Sequence, residues 1–137
     1  MTDTANHCRI AQNLIEQVWN RGDSAFLDTM IAPDYVDTAY VPPNAEGHKA
    51  MVEALKSVIP DARWSVISTV ADDTSVVFEL RLNGTHRGEF RGIAPAGNAI
   101  DIVGYRHFTF RNGKLVRHAA LLDTAGLLRQ MKGEQAA

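Results

Sequence analysis

The segment that decides the fold lies in the second half of the chain and reads AIDIVGYRHFTF from Ala99 to Phe110. Polar and apolar side chains alternate along it, and the pair Asn112-Gly113 separates it from the largely apolar run Lys114–Leu122. Alternation with a period of two is typical of a half-buried strand, and Asn-Gly between two such runs is a strong hairpin signal. The segment therefore predicts two long antiparallel strands joined by a tight turn.

Outside this hairpin the pattern of apolar residues predicts helices first and strands afterwards. Helical spacing predicts helices over about residues 4–19, 24–30 and 47–58, with an extended piece at 35–40. Beyond Pro60 the residues become β-branched and aromatic, which predicts strands over 64–70, 75–82 and, interrupted by glycines, 84–93. This order is an α+β layout. We predict one domain, residues 1–137, built as a conical barrel in which a strongly bent, mainly antiparallel sheet wraps around N-terminal helices and encloses one internal pocket.

The composition narrows the classes of function. The chain has 137 residues, a net charge of -2 and a single cysteine, Cys8. A nucleic-acid binder would carry a basic stripe, and a disulfide or a cysteine zinc cluster would need more than one cysteine. Met1–Ile10 lacks the features of a signal peptide, and no apolar run is long enough for a membrane span. We expect a cytoplasmic protein that handles a small molecule, without nucleic-acid or membrane partners.

Four short motifs follow one another in a specific order. They are GTHRGEF at Gly84–Phe90, GIAPAG at Gly92–Gly97, FTFRNGKL at Phe108–Leu115 and LDTAGLLRQ at Leu122–Gln130. Together they resemble the SnoaL-like polyketide cyclases, also called ester cyclases, over roughly residues 10–131. The resemblance implies the fold shared with nuclear transport factor 2 and ketosteroid isomerase, and assembly as a homodimer or homotetramer. It also implies intramolecular aldol cyclisation of a hydrophobic carbonyl compound, in which a carboxylate moves the proton without metal or organic cofactor.

The family's catalytic aspartate falls on Asp123, and a family histidine falls on His107. From the residues alone, Asp123 is better explained as the cap of a helix that starts at Thr124. The resemblance makes the catalytic role about as well supported, and one carboxylate can do both. His107 shares a strand face with Asp101 and Tyr105, and this face is the more polar one, as a pocket lining would be. A structural or exposed histidine is the alternative for His107.

Further side chains are candidates for substrate binding. Tyr105 can donate to an enolate oxygen, and Trp64 offers an aromatic surface, although such a residue more often packs in the core. Thr38 takes the place of a polar family residue on the first strand, and Asp37, its neighbour, is the alternative base there, since only one of them can face inward. Arg117 stands where the family carries glutamate and would favour an anionic group if it points inward.

The remaining histidines do not suggest a metal. The five histidines are scattered singly, without an HxH or HxxxH pair, so we predict no metal and no cofactor. His86 is expected to satisfy backbone groups around a bulge.

Three other functions stay open. One is a non-catalytic protein that binds a small hydrophobic ligand, and another is an interaction scaffold. The third is an epoxide hydrolase that uses Asp101, Arg106 and Asp123, although strand alternation places Arg106 on the opposite face from the other two.

Overall fold

The computed structural model describes residues 3–134. The first half contains α1 (Asp3–Asn13), a π-helical segment (Leu14–Asn20), a 3-10 helix (Ser24–Thr29), β1 (Ile31–Asp37) and α2 (Ala45–Val58). The second half contains β2 (Arg63–Ala71), β3 (Ser75–Thr85), β4 (Ala99–Arg111), β5 (Lys114–Leu122) and α3 (Thr124–Met131). Within this range no helix combines the length and the hydropathy that crossing a bilayer requires.

The five strands form one mixed sheet in the order β1-β5-β4-β3-β2. Strands β2 to β5 pair antiparallel with their neighbours, and β1 pairs parallel with β5. The predicted α+β chain with a mainly antiparallel sheet is thus confirmed. The sheet is open rather than a closed barrel, because β1 and β2 lie at its two edges and do not pair with each other.

Strand β4 shows which face of the sheet packs against the helices. Ile102, Phe108 and Phe110 are buried, whereas Asp101 and Tyr105 on the opposite face are exposed. The expectation that the more polar face turns inward is therefore wrong. Burial of apolar area stabilises by about 25 cal/mol per Å², so the sheet packs its apolar face on the helices. Arg106, which shares that face, is carried into the interior with it.

The helices begin and end where the local sequence dictates. Asn44 caps α2, since its side-chain oxygen accepts hydrogen bonds from the backbone N–H groups of Glu46 and Gly47.

The first predicted helix is confirmed as one helical run, but its second half is π-helical. Such segments are rare and concentrate at functional sites. This one presents Trp19 to the interior, where it is 6% exposed.

The predicted strand over residues 84–93 is wrong beyond Thr85, where β3 ends. The chain turns instead onto the end of α2, since the backbone N–H groups of Arg87 and Gly88 both donate to the carbonyl of Val58. The backbone of His86 pairs with Asn98 and Gly97. Its buried ring does not satisfy backbone groups as expected, because neither ring nitrogen has a hydrogen-bond partner within residues 3–134.

Candidate functional site

A cavity of about 330 Å³ lies between the inner face of the sheet and helices α2 and α3. This volume is at the lower end of the range for small-molecule sites. Its wall is mainly apolar and includes Met51, Leu55, Ile59, Leu82, Phe90 and Leu127. The polar side chains Tyr40 and Arg106 also line it, together with both tryptophans of the chain, Trp19 and Trp64. The cavity is thus an apolar pocket with one polar, aromatic region.

Arg106 is the cation of that region. It is 4% exposed, and its guanidinium carbon lies 4.2 Å from the ring centre of Trp19 and 4.7 Å from that of Trp64. Its Nη1 donates to the hydroxyl of Tyr40 at 2.9 Å and lies 3.3 Å from Nε2 of His118. The two aromatic faces hold the buried charge by cation–π attraction.

Behind Arg106, the carboxylate of Asp37 accepts four hydrogen bonds. Oδ2 accepts from the hydroxyl of Tyr35 at 2.6 Å and lies 2.8 Å from Nδ1 of His48. Oδ1 lies 3.0 Å from Nδ1 of His118 and accepts from the backbone N–H of Ala39 at 3.1 Å. The side chains of Asp37, His48 and His118 are fully buried. A buried carboxylate needs such partners, because its transfer from water is costly.

The neighbours of the two imidazoles fix where their hydrogens lie. The indole N–H of Trp19, which can only donate, lies 3.0 Å from Nε2 of His48. The guanidinium of Arg106, also a pure donor, faces Nε2 of His118. Each Nε2 therefore accepts, and each Nδ1 carries the hydrogen that it donates to Asp37. Both histidines are neutral in this network.

The pKa directions agree with this assignment. Burial alone would raise the pKa of Asp37, but the hydrogen bonds from His118 and His48 outweigh it and hold that pKa well below its ordinary value. Burial lowers the pKa of His48, and Asp37 only partly opposes it. Burial, aided by the charge of Arg106, lowers the pKa of His118 to about 4. Asp37 is thus an ionised acceptor between two neutral imidazoles.

The same three side chains are a possible metal-ligand set. Three possible ligand atoms, one each from Asp37, His48 and His118, lie within 4.8 Å of one another. Two histidines and a carboxylate are a ligand set that suits iron or zinc. Their hydrogen bonding does not fit a metal, however. Both Nδ1 atoms that face the carboxylate carry hydrogen, so neither offers a lone pair to an ion between them. Binding would require both rings to exchange tautomers, at the expense of their contacts with Trp19 and Arg106.

Among the predicted substrate-binding residues, the structure brings two to the pocket. Trp64 is buried in its wall, and Tyr105 borders it while 50% exposed. Thr38 and Arg117 are exposed and do not line it. The inward orientation predicted for Thr38 is wrong, and Arg117 points to solvent, which is the second orientation open to it, because Asp37 and His118 turn inward in their place. Thr38 instead donates its hydroxyl to the backbone carbonyl of His118.

The two predicted catalytic residues lie outside the pocket wall. Asp123 is exposed and caps α3, where its Oδ1 accepts from the backbone N–H of Gly126 at 2.9 Å. His107 is half-buried on the face of β4 that points away from the core, opposite Ala119 of β5. The epoxide hydrolase arrangement does not form either, because Asp101 is exposed and pairs with Arg81 while Arg106 is buried.

The sequence held signals for the residues that were missed. Arg106 is the one charged residue on the apolar face of β4, between Gly104 and Phe108. A cation at such a position is rarely buried without a functional or structural partner. No spacing rule connects Asp37 with His48 and His118, which come from β1, α2 and β5.

Comparison with known proteins identifies the family. The model of the SnoaL-like polyketide cyclases matches residues 9–131. This chain belongs to the SnoaL-like polyketide cyclase family, as its sequence resemblance indicated. No curated protein matches it.

Solved structures share the fold. A proposed SnoaL-like polyketide cyclase from Jannaschia sp. CCS1 is 18% identical, with a TM-score of 0.84 over 96% of this chain and 95% of that one. AclR, a proposed hydroxylase from Streptomyces galilaeus, is 23% identical, with a TM-score of 0.84 over 98% and 85%. IdmH, a proposed polyketide cyclase from Streptomyces antibioticus, is 25% identical, with a TM-score of 0.81 over 92% and 98%. One fold thus serves proteins named for different reactions, so the reaction has to be argued from the site.

Proposed function

We propose that this protein catalyses a cofactor-free proton transfer, of the aldol cyclisation or isomerisation type, on a small hydrophobic carbonyl compound. One observation carries the proposal. The apolar pocket contains a pair of hydrogen-bond donors, Arg106 and Tyr40. The guanidinium also contacts the imidazole of His118, which in turn is hydrogen-bonded to the carboxylate of Asp37.

The donor pair suits the oxygen of an enolate. Tyr40 accepts a hydrogen bond from Arg106, and its own hydroxyl hydrogen has no acceptor within the described residues. A substrate carbonyl placed against these groups would receive a neutral and a charged hydrogen bond. Both strengthen as negative charge develops on the oxygen, which lowers the barrier to loss of the adjacent C–H proton.

His118 is the base that this arrangement offers. Its pKa of about 4 keeps the imidazole neutral at pH 7, so that the lone pair of Nε2 is available once Arg106 turns from it toward the substrate oxygen. The C–H bond breaks, the proton moves to Nε2, and the electron pair forms the enolate. The enolate carbon then bonds to a second carbonyl carbon of the same molecule, and the proton moves to the new alkoxide.

Asp37 supports this step as a positioning residue. It holds the Nδ1–H of His118 and would stabilise the imidazolium that forms, as the carboxylate of a His–Asp pair does in hydrolases. The charge of Arg106 also contributes to lowering the pKa of His118. When an enolate neutralises that charge, the imidazole becomes a stronger base.

Hydrogen–deuterium exchange tests the proposal. The purified protein is incubated in deuterium oxide with 1-(2-naphthyl)butane-1,3-dione, and deuterium at the carbon between the carbonyls is followed by mass spectrometry. We expect exchange above the buffer rate, a loss of about 100-fold or more in His118→Gln, and a smaller loss in Tyr40→Phe. Arg117→Gln, an exposed neighbour, is the matched control and should exchange normally.

The alternative of a non-catalytic binding protein has one observation in its favour. No carboxylate or imidazole of residues 3–134 lies directly in the pocket wall. A diketone that binds but exchanges only at the buffer rate would support this alternative and overturn the proposed catalysis.

We also propose that the chain forms a homodimer or homotetramer. Val66, Ile67 and Val70 on the edge strand β2 are 39%, 47% and 72% exposed, and burial of such a surface would stabilise a pair of chains. Light scattering after size exclusion tests this proposal, and a mass of 15.0 kDa would overturn it.

A further inference from the structure

Arg106 is a buried cation without a direct carboxylate partner in residues 3–134. Asp37 reaches it only through the ring of His118. The four hydrogen bonds that Asp37 accepts also occupy that carboxylate fully. Burial of a charge is costly unless the charge is paired, and within the described residues no anion is in direct contact with this guanidinium.

One edge of the guanidinium has no hydrogen-bond partner within the described residues. The group has five N–H donors, and the two on Nη1 face Tyr40 and His118. Nε is buried without a partner, and within the described residues the hydrogen bonds of Arg106 come from Nη1 and none from Nη2. Nε–H and one Nη2–H point in parallel from the same edge, which is the fork that binds a carboxylate with two hydrogen bonds.

We propose that the pocket selects an apolar ligand with one negatively charged oxygen group, a carboxylate or an enolate, and binds this group on the free edge of Arg106. This inference rests on the proposed function in one respect, that the pocket is the substrate site. It narrows the substrate class from neutral carbonyl compounds to anionic ones.

The other charges around the pocket agree with an anion. Within the described residues, the only second charged side chain in the wall is Arg91, an exposed cation. The groups behind Arg106 are two neutral histidines and the fully bonded Asp37. A ligand oxoanion would therefore meet positive charge in the wall and no direct carboxylate, while its rings would contact the apolar side chains.

Two ligands of the same shape test the inference. Calorimetry at pH 7 compares 2-naphthoate, which is ionised, with 2-acetonaphthone, its neutral analogue. We expect the anion to bind about 10- to 100-fold more tightly, the range for hydrogen bonds to a charged group. Trp19 and Trp64 flank the guanidinium, so their two indole N–H resonances should shift on binding and place the probe at this site.

Two arginine variants complete the test. Arg106→Gln should abolish the preference for the anion, whereas Arg117→Gln removes the same charge from an exposed position outside the pocket wall and should change the preference less than threefold. Circular dichroism verifies that both remain folded. Where Arg106→Gln does not fold, Arg106→Lys retains the charge without the fork and should bind the anion at least fivefold more weakly.

The outcomes separate this inference from the proposed function. Equal affinity of the wild-type protein for the two probes overturns the inference, and so does a preference that survives in a folded Arg106→Gln. If the protein binds the anion more tightly but does not exchange deuterium into the diketone, only the proposed catalysis is overturned. If it exchanges deuterium but binds both probes equally, only the inference of an anionic substrate is overturned.

Discussion

Asp37 and His118 are register partners across the parallel strand pair β1–β5, and the Nδ1 of His118 lies 3.0 Å from the Oδ1 of Asp37. Because the two strands run side by side, both inward-facing side chains meet at one level of the sheet. Helix α2 adds His48 on the other carboxylate oxygen. The buried network is thus a product of sheet topology, and its stability and titration can be predicted from its geometry.

Asp37→Asn should destabilise the fold strongly. Each imidazole donates to one oxygen of the carboxylate. In asparagine an NH₂ group replaces one of these oxygens, and it cannot accept a hydrogen bond. We expect a loss of about 3 kcal/mol or more in the free energy of unfolding, measured by urea denaturation. Tyr35→Phe removes one of the four donors and should cost only about 1 kcal/mol. Similar small losses in both variants would show that the charge of Asp37 is not needed.

Stability should fall as the pH falls from 7.5 to 5. The pKa of His118 is about 4 in the folded chain against an ordinary value of 6.5, and that of His48 is lowered too. The unfolded chain therefore binds protons in this window that the folded chain does not. Each histidine contributes full stability above pH 6.5. The contribution of His118 is lost toward pH 4, and that of His48 falls in the same direction. The slope is at most about 1.4 kcal/mol per pH unit for each histidine.

Urea unfolding at several pH values measures that slope. His118→Asn should make it shallower, because one of the two depressed groups is gone. An unfolding free energy that is constant between pH 7.5 and 5 in the wild-type protein would contradict neutral, buried histidines.

Two substitutions at Asp123 distinguish a helix cap from a catalytic acid/base. Asparagine caps a helix about as well as aspartate, whereas alanine costs about 1 kcal/mol. We therefore expect Asp123→Asn to be as stable as the wild type and Asp123→Ala to lose about 1 kcal/mol, with hydrogen–deuterium exchange of the diketone retained in both. Loss of exchange in a stable Asp123→Asn would instead support the catalytic role that the family resemblance implies.

The sequence predicted the elements better than it predicted the site. Alternation along β4 correctly grouped Arg106 with Phe108 on one face and Tyr105 with His107 on the other. It does not state which face the helices cover, and the polar content of a face was a misleading guide, because the apolar face drives burial. His48 and His118 are separated by 70 positions, so only the sheet and α2 bring them to one carboxylate.

The family resemblance had the same limit. It placed the fold correctly and transferred a catalytic role to Asp123 by position. In this chain the carboxylate at that position is the cap of α3, and the buried carboxylate is Asp37. The alternation in β1 comes nearest to the site, since it allows only one of Thr38 and Asp37 to face inward.

A larger side chain at Ala54 should close the pocket and abolish ligand binding. Ala54 lies on α2 in the pocket wall, and Ala50, one turn earlier and also exposed, does not line the pocket. Ala54→Phe and Ala50→Phe therefore make the same chemical change on the same helix, with the same loss of helix propensity. Calorimetry with 2-naphthoate should show no binding to Ala54→Phe and unchanged affinity for Ala50→Phe. Because both sites are exposed, the free energies of unfolding should differ by less than about 0.5 kcal/mol. Undiminished binding to Ala54→Phe would place the ligand outside this pocket and would remove the basis for assigning a role to Arg106 and Tyr40.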